Sequence, residues 1–225
     1  IGDIVMTKEE LNRQLVSAAQ SGNVEGVRSA LEAGADINVK NTYGWTSLME
    51  TSSNGHVETA RLLLDYGADP DIRLETNGCT SLMIAGNYGN TPIVELLLDK
   101  GADPNIQDDL GRTAFMWAVR YHFVGIAKLI FDRGIDLTLQ NMIGRTSLMY
   151  LAEGGYTHLM ELFIKSGADF YTIDKAGMTA LDILKECHPE RYDRWMSSTV
   201  VKARKQVLKR EDSARSQSCT PDFDI

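Results

Sequence analysis

Gly111-Arg112-Thr113-Ala114-Phe115-Met116 is one of five versions of the same line in this chain. It recurs as Gly44-Trp45-Thr46-Ser47-Leu48-Met49, as Gly78-Cys79-Thr80-Ser81-Leu82-Met83 and as Gly144-Arg145-Thr146-Ser147-Leu148-Met149. A fainter copy is Gly177-Met178-Thr179-Ala180-Leu181-Asp182, and the five glycines step by 34, 33, 33 and 33 residues. A second line keeps the same beat: Gly34-Ala35-Asp36, Gly67-Ala68-Asp69, Gly101-Ala102-Asp103, Gly134-Ile135-Asp136 and Gly167-Ala168-Asp169. Each of the first four turn glycines lies 23 residues before the Gly-x-Asp that follows it. Two interlocked signals at one period specify a repeat architecture.

Local chemistry says what each unit is. The glycine permits a hairpin turn with positive φ. The Thr after it is placed to cap a first helix. The next glycine ends that helix, a second helix returns, and the Gly-Ala-Asp glycine stops it. Thr7 and Glu10 form a capping box that opens the first unit. Leu11, Leu15, Val16, Ala18 and Ala19 then share one helical face. Later units begin near Asn41, Glu75, Asp108, Asn141 and Asp174. The chain therefore reads as an all-α repeat solenoid of six hairpin-plus-two-helix units.

Three departures from the period are visible. One extra residue lies between Gly67 and Gly78, so the hairpin around Arg73–Asn77 is expected to bulge. His122 stands where other units have Gly55, Gly89 and Gly155 and must take a left-handed turn at some strain. Met49, Met83, Met116 and Met149 form a repeated apolar position, expected in the core.

These residues resemble the ankyrin-repeat family, which writes Gly-x-Thr-Pro-Leu-His-x-Ala, then Gly-His, then Leu-Leu-Leu-x-x-Gly-Ala-Asp. Gly55-His56 and Leu62-Leu63-Leu64-Asp65-Tyr66-Gly67-Ala68-Asp69 match well, whereas Pro-Leu-His is rewritten as Ser-Leu-Met or Ala-Phe-Met. The resemblance covers roughly residues 7–199 and implies protein binding through a concave face of hairpin tips and first helices. The Ser-Leu-Met wording resembles bacterial-type repeats, whose single-domain members include host-directed effectors and cognate inhibitors of toxic enzymes.

The domain reading is an array over 1–187, its first unit an N-terminal cap, then a capping helix over 188–210 and a polar tail over 211–225. Tyr192, Trp195, Met196, Val200, Ala203 and Val207 give that helix an apolar face, and a break at Ser197-Ser198-Thr199 would let the tail fold back. Net charge is −8, with 15 basic against 25 acidic residues over 1–187 and eight against four over 188–215. The acidic body argues against nucleic acid as the partner, because phosphate binding needs a basic face. No apolar run reaches the roughly 18 residues of a membrane span. No signal peptide is visible. Because the chain begins at Ile1, either an upstream piece preceded it or Met6 is the natural start. Three free thiols, Cys79, Cys187 and Cys219, fit a reducing, cytoplasmic setting; a Cys187–Cys219 pair would fit a periplasmic or secreted one.

Catalytic chemistry finds no support. His56, His122, His158 and His188 fall in separate units without metal-ligand spacing, and there is no phosphate loop or nucleophile elbow. The reading is a non-enzyme with no cofactor and no metal. Side chains released from stacking are instead the candidates for partner contact. At the hairpins these are Tyr43, Trp45, Asn77, Leu110, Arg112, Met142, Ile143, Arg145 and Met178. On the first helices they are Tyr88, Trp117, Arg120, Tyr121 and Tyr150. Trp, Tyr, Met and Arg are enriched at binding hot spots, although Tyr43 and Trp45 would also suit packing on a neighbouring hairpin. The expected function is occlusion of another protein, with a basic or apolar surface, by a chain that is monomeric when free: an inhibitor or self-protection protein. A scaffold, a host-directed effector and an accessory enzyme are the alternatives.

Overall fold

A computed structural model describes residues 6–197. Among these residues are twelve helices in six consecutive pairs: α1 (Lys8–Ser21) with α2 (Val24–Glu32), α3 (Ser47–Asn54) with α4 (Val57–Asp65), α5 (Ser81–Tyr88) with α6 (Thr91–Asp99), α7 (Ala114–Arg120) with α8 (Val124–Asp132), α9 (Ser147–Glu153) with α10 (Thr157–Lys165), and α11 (Ala180–Cys187) with α12 (Pro189–Met196). This is an all-α repeat solenoid. The chain forms two compact units, residues up to Ser147 and residues from Leu148 on.

The caps explain where the helices start. Thr7 and Glu10 exchange the reciprocal bonds of the capping box, which satisfies two amides at the helix start. Thr46, Thr80 and Thr113 each accept from the backbone N–H three residues on, at 3.3, 3.4 and 3.4 Å. Gly22, Gly55 and Gly89 end the first helices in the left-handed region. His122 takes that place after α7 with φ +65°, the only non-glycine residue at positive φ among the described residues.

In the first unit, α1, α3, α5 and α7 stack in sequence and α2, α4, α6 and α8 form a second layer behind them. The core between the layers holds Leu15, Leu48, Met49, Leu63, Leu82, Met83, Phe115 and Met116, all at most 1% exposed. The repeated methionines are thus core residues, as expected, and Met149 in the second unit is 1% exposed as well. Side chains that start the second helices also tie neighbours together. The His56 ring nitrogen lies 3.1 Å from the Gln20 carbonyl, and Asn90 Nδ2 donates to the Ser52 carbonyl at 2.6 Å. Each meets carbonyls at the end of the preceding first helix, which lack an intrahelical partner.

In the second unit, α11 packs on α12, where Trp195 is 4% exposed. His188 and Arg191 reach the carbonyls of Glu153 and Gly155 at 3.0 and 2.9 Å. The expected extension of the terminal helix to 210, the break after Ser197, the tail over 211–225 and Cys219 lie outside the described residues.

Candidate functional site

Four hairpins present the residues singled out from the sequence in the first unit: hairpin two (40–46), hairpin three (73–80), hairpin four (107–113) and hairpin five (140–146). Three of them have an Asn or Asp at the base, whose side-chain oxygen accepts two backbone N–H groups of the turn. Asn41 Oδ1 accepts from Tyr43 and Trp45 at 2.9 and 3.0 Å. Asp108 Oδ1 accepts from Leu110 and Arg112 at 3.0 and 2.8 Å, and Asn141 Oδ1 from Ile143 and Arg145 at 3.0 and 2.9 Å. Such turns mimic backbone turns with a side chain and fix the flanking residues.

Asp108 does more. Its other oxygen accepts from Arg112 Nε at 2.8 Å and from the Trp117 indole N–H at 3.0 Å, with Arg112 Nη2 also 2.8 Å away. The Asp108 side chain is wholly buried. The Arg112 guanidinium lies 4.0 Å from the centroid of the Trp117 ring, and Tyr121 stacks on Trp117 at 5.6 Å and 7°. Arg112, Trp117 and Tyr121 are therefore one ordered aromatic–cation array on a buried carboxylate. Gly111 fits this hairpin by lacking a Cβ: φ is +74°, and a Cβ would sit 2.8 Å from the Asn141 Cα of hairpin five. There the Met142 N–H donates to the Leu110 carbonyl at 2.8 Å.

Hairpin three breaks the rule. Leu74, 5% exposed, stands where the others place Asn or Asp. The turn is one residue longer: Leu74 pairs with Cys79 at 2.8 Å, five positions on, where Asn41 pairs with Trp45, four on. This is the bulge expected from the period. Asn77 takes over part of the missing role, its Oδ1 accepting from the Cys79 N–H at 3.0 Å. Hairpin three is joined to hairpin four by the Asp109 N–H on the Asn77 carbonyl at 2.9 Å. It is tied to hairpin two by an ion pair, Lys40 to Glu75 at 2.8 Å.

That departure opens a slot of about 180 Å³. The buried Leu74, Cys79, Met83 and Ile84 form its floor. Trp45 flanks it from the preceding repeat and Trp117 from the following one, and Asn77, Asn87 and Tyr88 line its rim. Burial, ahead of the neighbouring Asp108 carboxylate, pushes the Cys79 thiol up to about 11. Cys79 is thus a neutral apolar floor residue at physiological pH and no nucleophile. Among the described residues no three His, Cys, Asp or Glu side chains are grouped to hold a metal ion, and no helix is long and apolar enough to cross a membrane.

The candidates of the sequence reading distribute as follows. Trp45, Asn77, Tyr88 and Trp117 converge on the slot. Arg112 and Tyr121 flank Trp117, and Arg120 is exposed one helical turn from it. Tyr43 is 77% exposed, so it does not pack on a neighbouring hairpin. Leu110, Met142 and Ile143 are 50%, 57% and 52% exposed and form an apolar edge at hairpins four and five. Arg145 is half-buried at the foot of hairpin five. In the second unit, Met178 is half-buried and Tyr150 only 5% exposed, which removes the Tyr150 ring from partner contact in this arrangement. Leu74, Met83, Ile84 and Asp108 were not among the candidates. The legible signal for Leu74 was an apolar residue at a position otherwise Asn or Asp, beside the extra residue.

Comparison with known proteins agrees with this geometry. The chain is 43% identical over 68 residues to the 2-5A-dependent ribonuclease of Mus musculus, covering 30% of this chain and 9% of that protein. It is 41% identical over 56 residues to a putative ankyrin repeat protein of Acanthamoeba polyphaga mimivirus, covering 25% and 35%. It is 41% identical over 61 residues to ankyrin repeat, SAM and basic leucine zipper domain-containing protein 1 of Ovis aries, covering 27% and 13%. The chain thus spans between 9% and 35% of these relatives' lengths. A family model described as ankyrin repeats (3 copies) matches residues 15–108 and 74–141. Matched over more than half its length by that model, and built from hairpins and helix pairs at its period, the chain belongs to the ankyrin-repeat family, a scaffold of protein–protein interaction.

Proposed function

We propose that this chain binds another protein through the hairpin-and-first-helix face of residues 6–147 and acts by occluding the surface it covers, as an inhibitor or self-protection protein. The observation that carries this reading is the company of exposed and half-exposed Trp, Tyr, Met, Leu, Ile and Arg side chains on that face, from Tyr43 to Ile143. Trp, Tyr and Arg among them are the side chains that most often carry the binding energy of protein interfaces. Stacking does not use them. Several are also held in place in the free protein: Arg112 and Trp117 by Asp108, Trp45 through its backbone by Asn41. Ordering them in advance lowers the entropy lost on binding and suits tight occlusion.

The test is recovery of a partner on the immobilised chain, followed by affinity measurement with variants. Trp45→Ala and Tyr121→Ala each weaken binding by more than about 1 kcal/mol, whereas His158→Ala in the second unit leaves it unchanged. Normal binding by both aromatic variants places the partner on another surface. If the partner is an enzyme, stoichiometric loss of its activity marks an inhibitor, and retained activity in the complex marks a scaffold.

A further inference from the structure

We infer that the slot between Trp45 and Trp117 receives a single aromatic or large aliphatic side chain from a segment of the partner protein, and that a carboxylate beside that side chain is met by Arg120. This rests on the hairpin face being the binding face and specifies what is recognised there. Size comes first. An apolar cavity of about 150 Å³ takes benzene, and pockets for whole small-molecule ligands run to about 300–1,000 Å³. At about 180 Å³ the slot matches one phenyl or branched aliphatic group and is too small for a cofactor.

Its chemistry selects the same class. The floor of Leu74, Cys79, Met83 and Ile84 has no charge to satisfy, and both flanks are indole rings. The Trp117 N–H is already given to Asp108, so that ring brings no free donor to the slot. The Trp45 indole N–H makes no hydrogen bond among the described residues and is left to donate to a backbone or side-chain oxygen of the guest.

Charge sets what flanks the guest. Three carboxylates of the hairpins beside the slot are matched: Glu75 by Lys40, Asp109 by Arg73 and Asp108 by Arg112, all at 2.8 Å. Arg120 lies one turn from Trp117 on the same face of α7, is exposed, and has no ion pair among the described residues. An overall acidic chain thus carries an unmatched cation beside its apolar slot. That favours an acidic neighbour on the guest and disfavours a basic one.

Short random peptides displayed on phage, panned against the full chain and then synthesised, test this by titration. Enriched peptides share an aromatic or large aliphatic residue next to Asp or Glu, and changing that apolar residue to Ala weakens binding at least about tenfold. Cys79→Trp, which fills the slot with the residue hairpin two carries at the equivalent position, produces a similar loss. Asn87→Trp, at the half-buried rim, gives a second block that does not enter the core, should Cys79→Trp unfold the chain. Arg120→Glu weakens binding several-fold and is compensated when the peptide's acid becomes Lys. Peptides lacking the apolar–acidic pair, or unchanged binding to a folded slot-filled variant, overturn the inference. If Leu110→Ser with Ile143→Ser weakens binding while neither slot block does, the hairpin face stands and the slot falls. If none of these variants matters, both fall.

Discussion

Hairpins three and four solve one structural problem in opposite ways. Both must turn the chain and deliver it to a Thr-capped helix, and both do so with the same cap bond, 3.4 Å long. Hairpin four closes around a buried carboxylate. Asp108 collects two backbone N–H groups, the Arg112 guanidinium and the Trp117 indole. Hairpin three has Leu74 at that position and Ile84 where hairpin four's helix carries Trp117. It has Cys79 where hairpin four carries Arg112, and one residue more in the turn. Apolar groups do not pull their neighbours into a directed network, and Cys79 is smaller than either Trp45 or Arg112, so space remains. Stacking uses the helix positions common to all repeats, which leaves the hairpin base and the residue after the turn glycine free to differ. One repeat spends that freedom on rigidity and its neighbour on a receptacle.

The largest expected effect comes from removing the hub. Asp108→Ala leaves the Arg112 guanidinium and the Trp117 N–H without their buried acceptor. Breaking a buried pair from one side destabilises by about 3–5 kcal/mol, read as a lower urea midpoint. A loss below about 1 kcal/mol would mean that hairpin four is not held by Asp108 and that the contrast is one of sequence only. Leu82→Ala probes what the two hairpins share, because Leu82 and Phe115 occupy equivalent stacking positions at 1% and 0% exposure. It costs about 2–5 kcal/mol, as core leucines do. A cost under about 1 kcal/mol would remove the stacking role at that repeat.

How far the sequence carried is explained by the same division. The turn glycines, the Thr caps, the Met core and the capping box of Thr7 were legible because each is local and repeated. So was the longer turn before Gly78, as a break in the count. The consequence of that break was not. It depends on Trp45 and Trp117, 72 positions apart, flanking one opening, and no spacing rule relates residues across two repeat interfaces. Asp108 was legible as the start of a unit, but the five donor atoms of Leu110, Arg112 and Trp117 converge on it only in three dimensions. Tyr150 shows the reverse error. Its place on a first helix, like that of Trp117, suggested a contact residue, and local packing buried it.

A smaller effect tests the closure of the slot floor. With its thiol pushed up to about 11, Cys79 is ionised in only roughly one molecule in a thousand at pH 8. Native alkylation by iodoacetamide at that pH labels the exposed Cys187 well ahead of Cys79, as mass spectrometry of the digested protein reports. Equal rates would show an open, solvated floor unlike the one that separates hairpin three from hairpin four.

The smallest effect concerns hairpin two, which sits between the two extremes. Its base residue Asn41 donates to Glu50 Oε1 at 3.0 Å, a pair at the same two repeat positions as Asp108–Trp117 and Leu74–Ile84. Glu50 is 9% exposed, and burial raises its carboxyl above 4.5, with the Asn41 bond acting in the opposite direction. A folded chain with a raised carboxyl binds its proton more tightly than the unfolded chain does. The contribution to stability is therefore full below the unfolded value and is lost as pH rises through the folded one. At pH 7 the ionised Glu50 is a small net liability. Glu50→Gln keeps the acceptor for Asn41 and removes the charge. It raises the urea midpoint slightly at pH 7, and the gain vanishes as pH falls through the carboxylate range. A loss of stability at pH 7 would show that the charge itself holds hairpin two together, which would put that hairpin with the Asp108 hub on the side of rigidity.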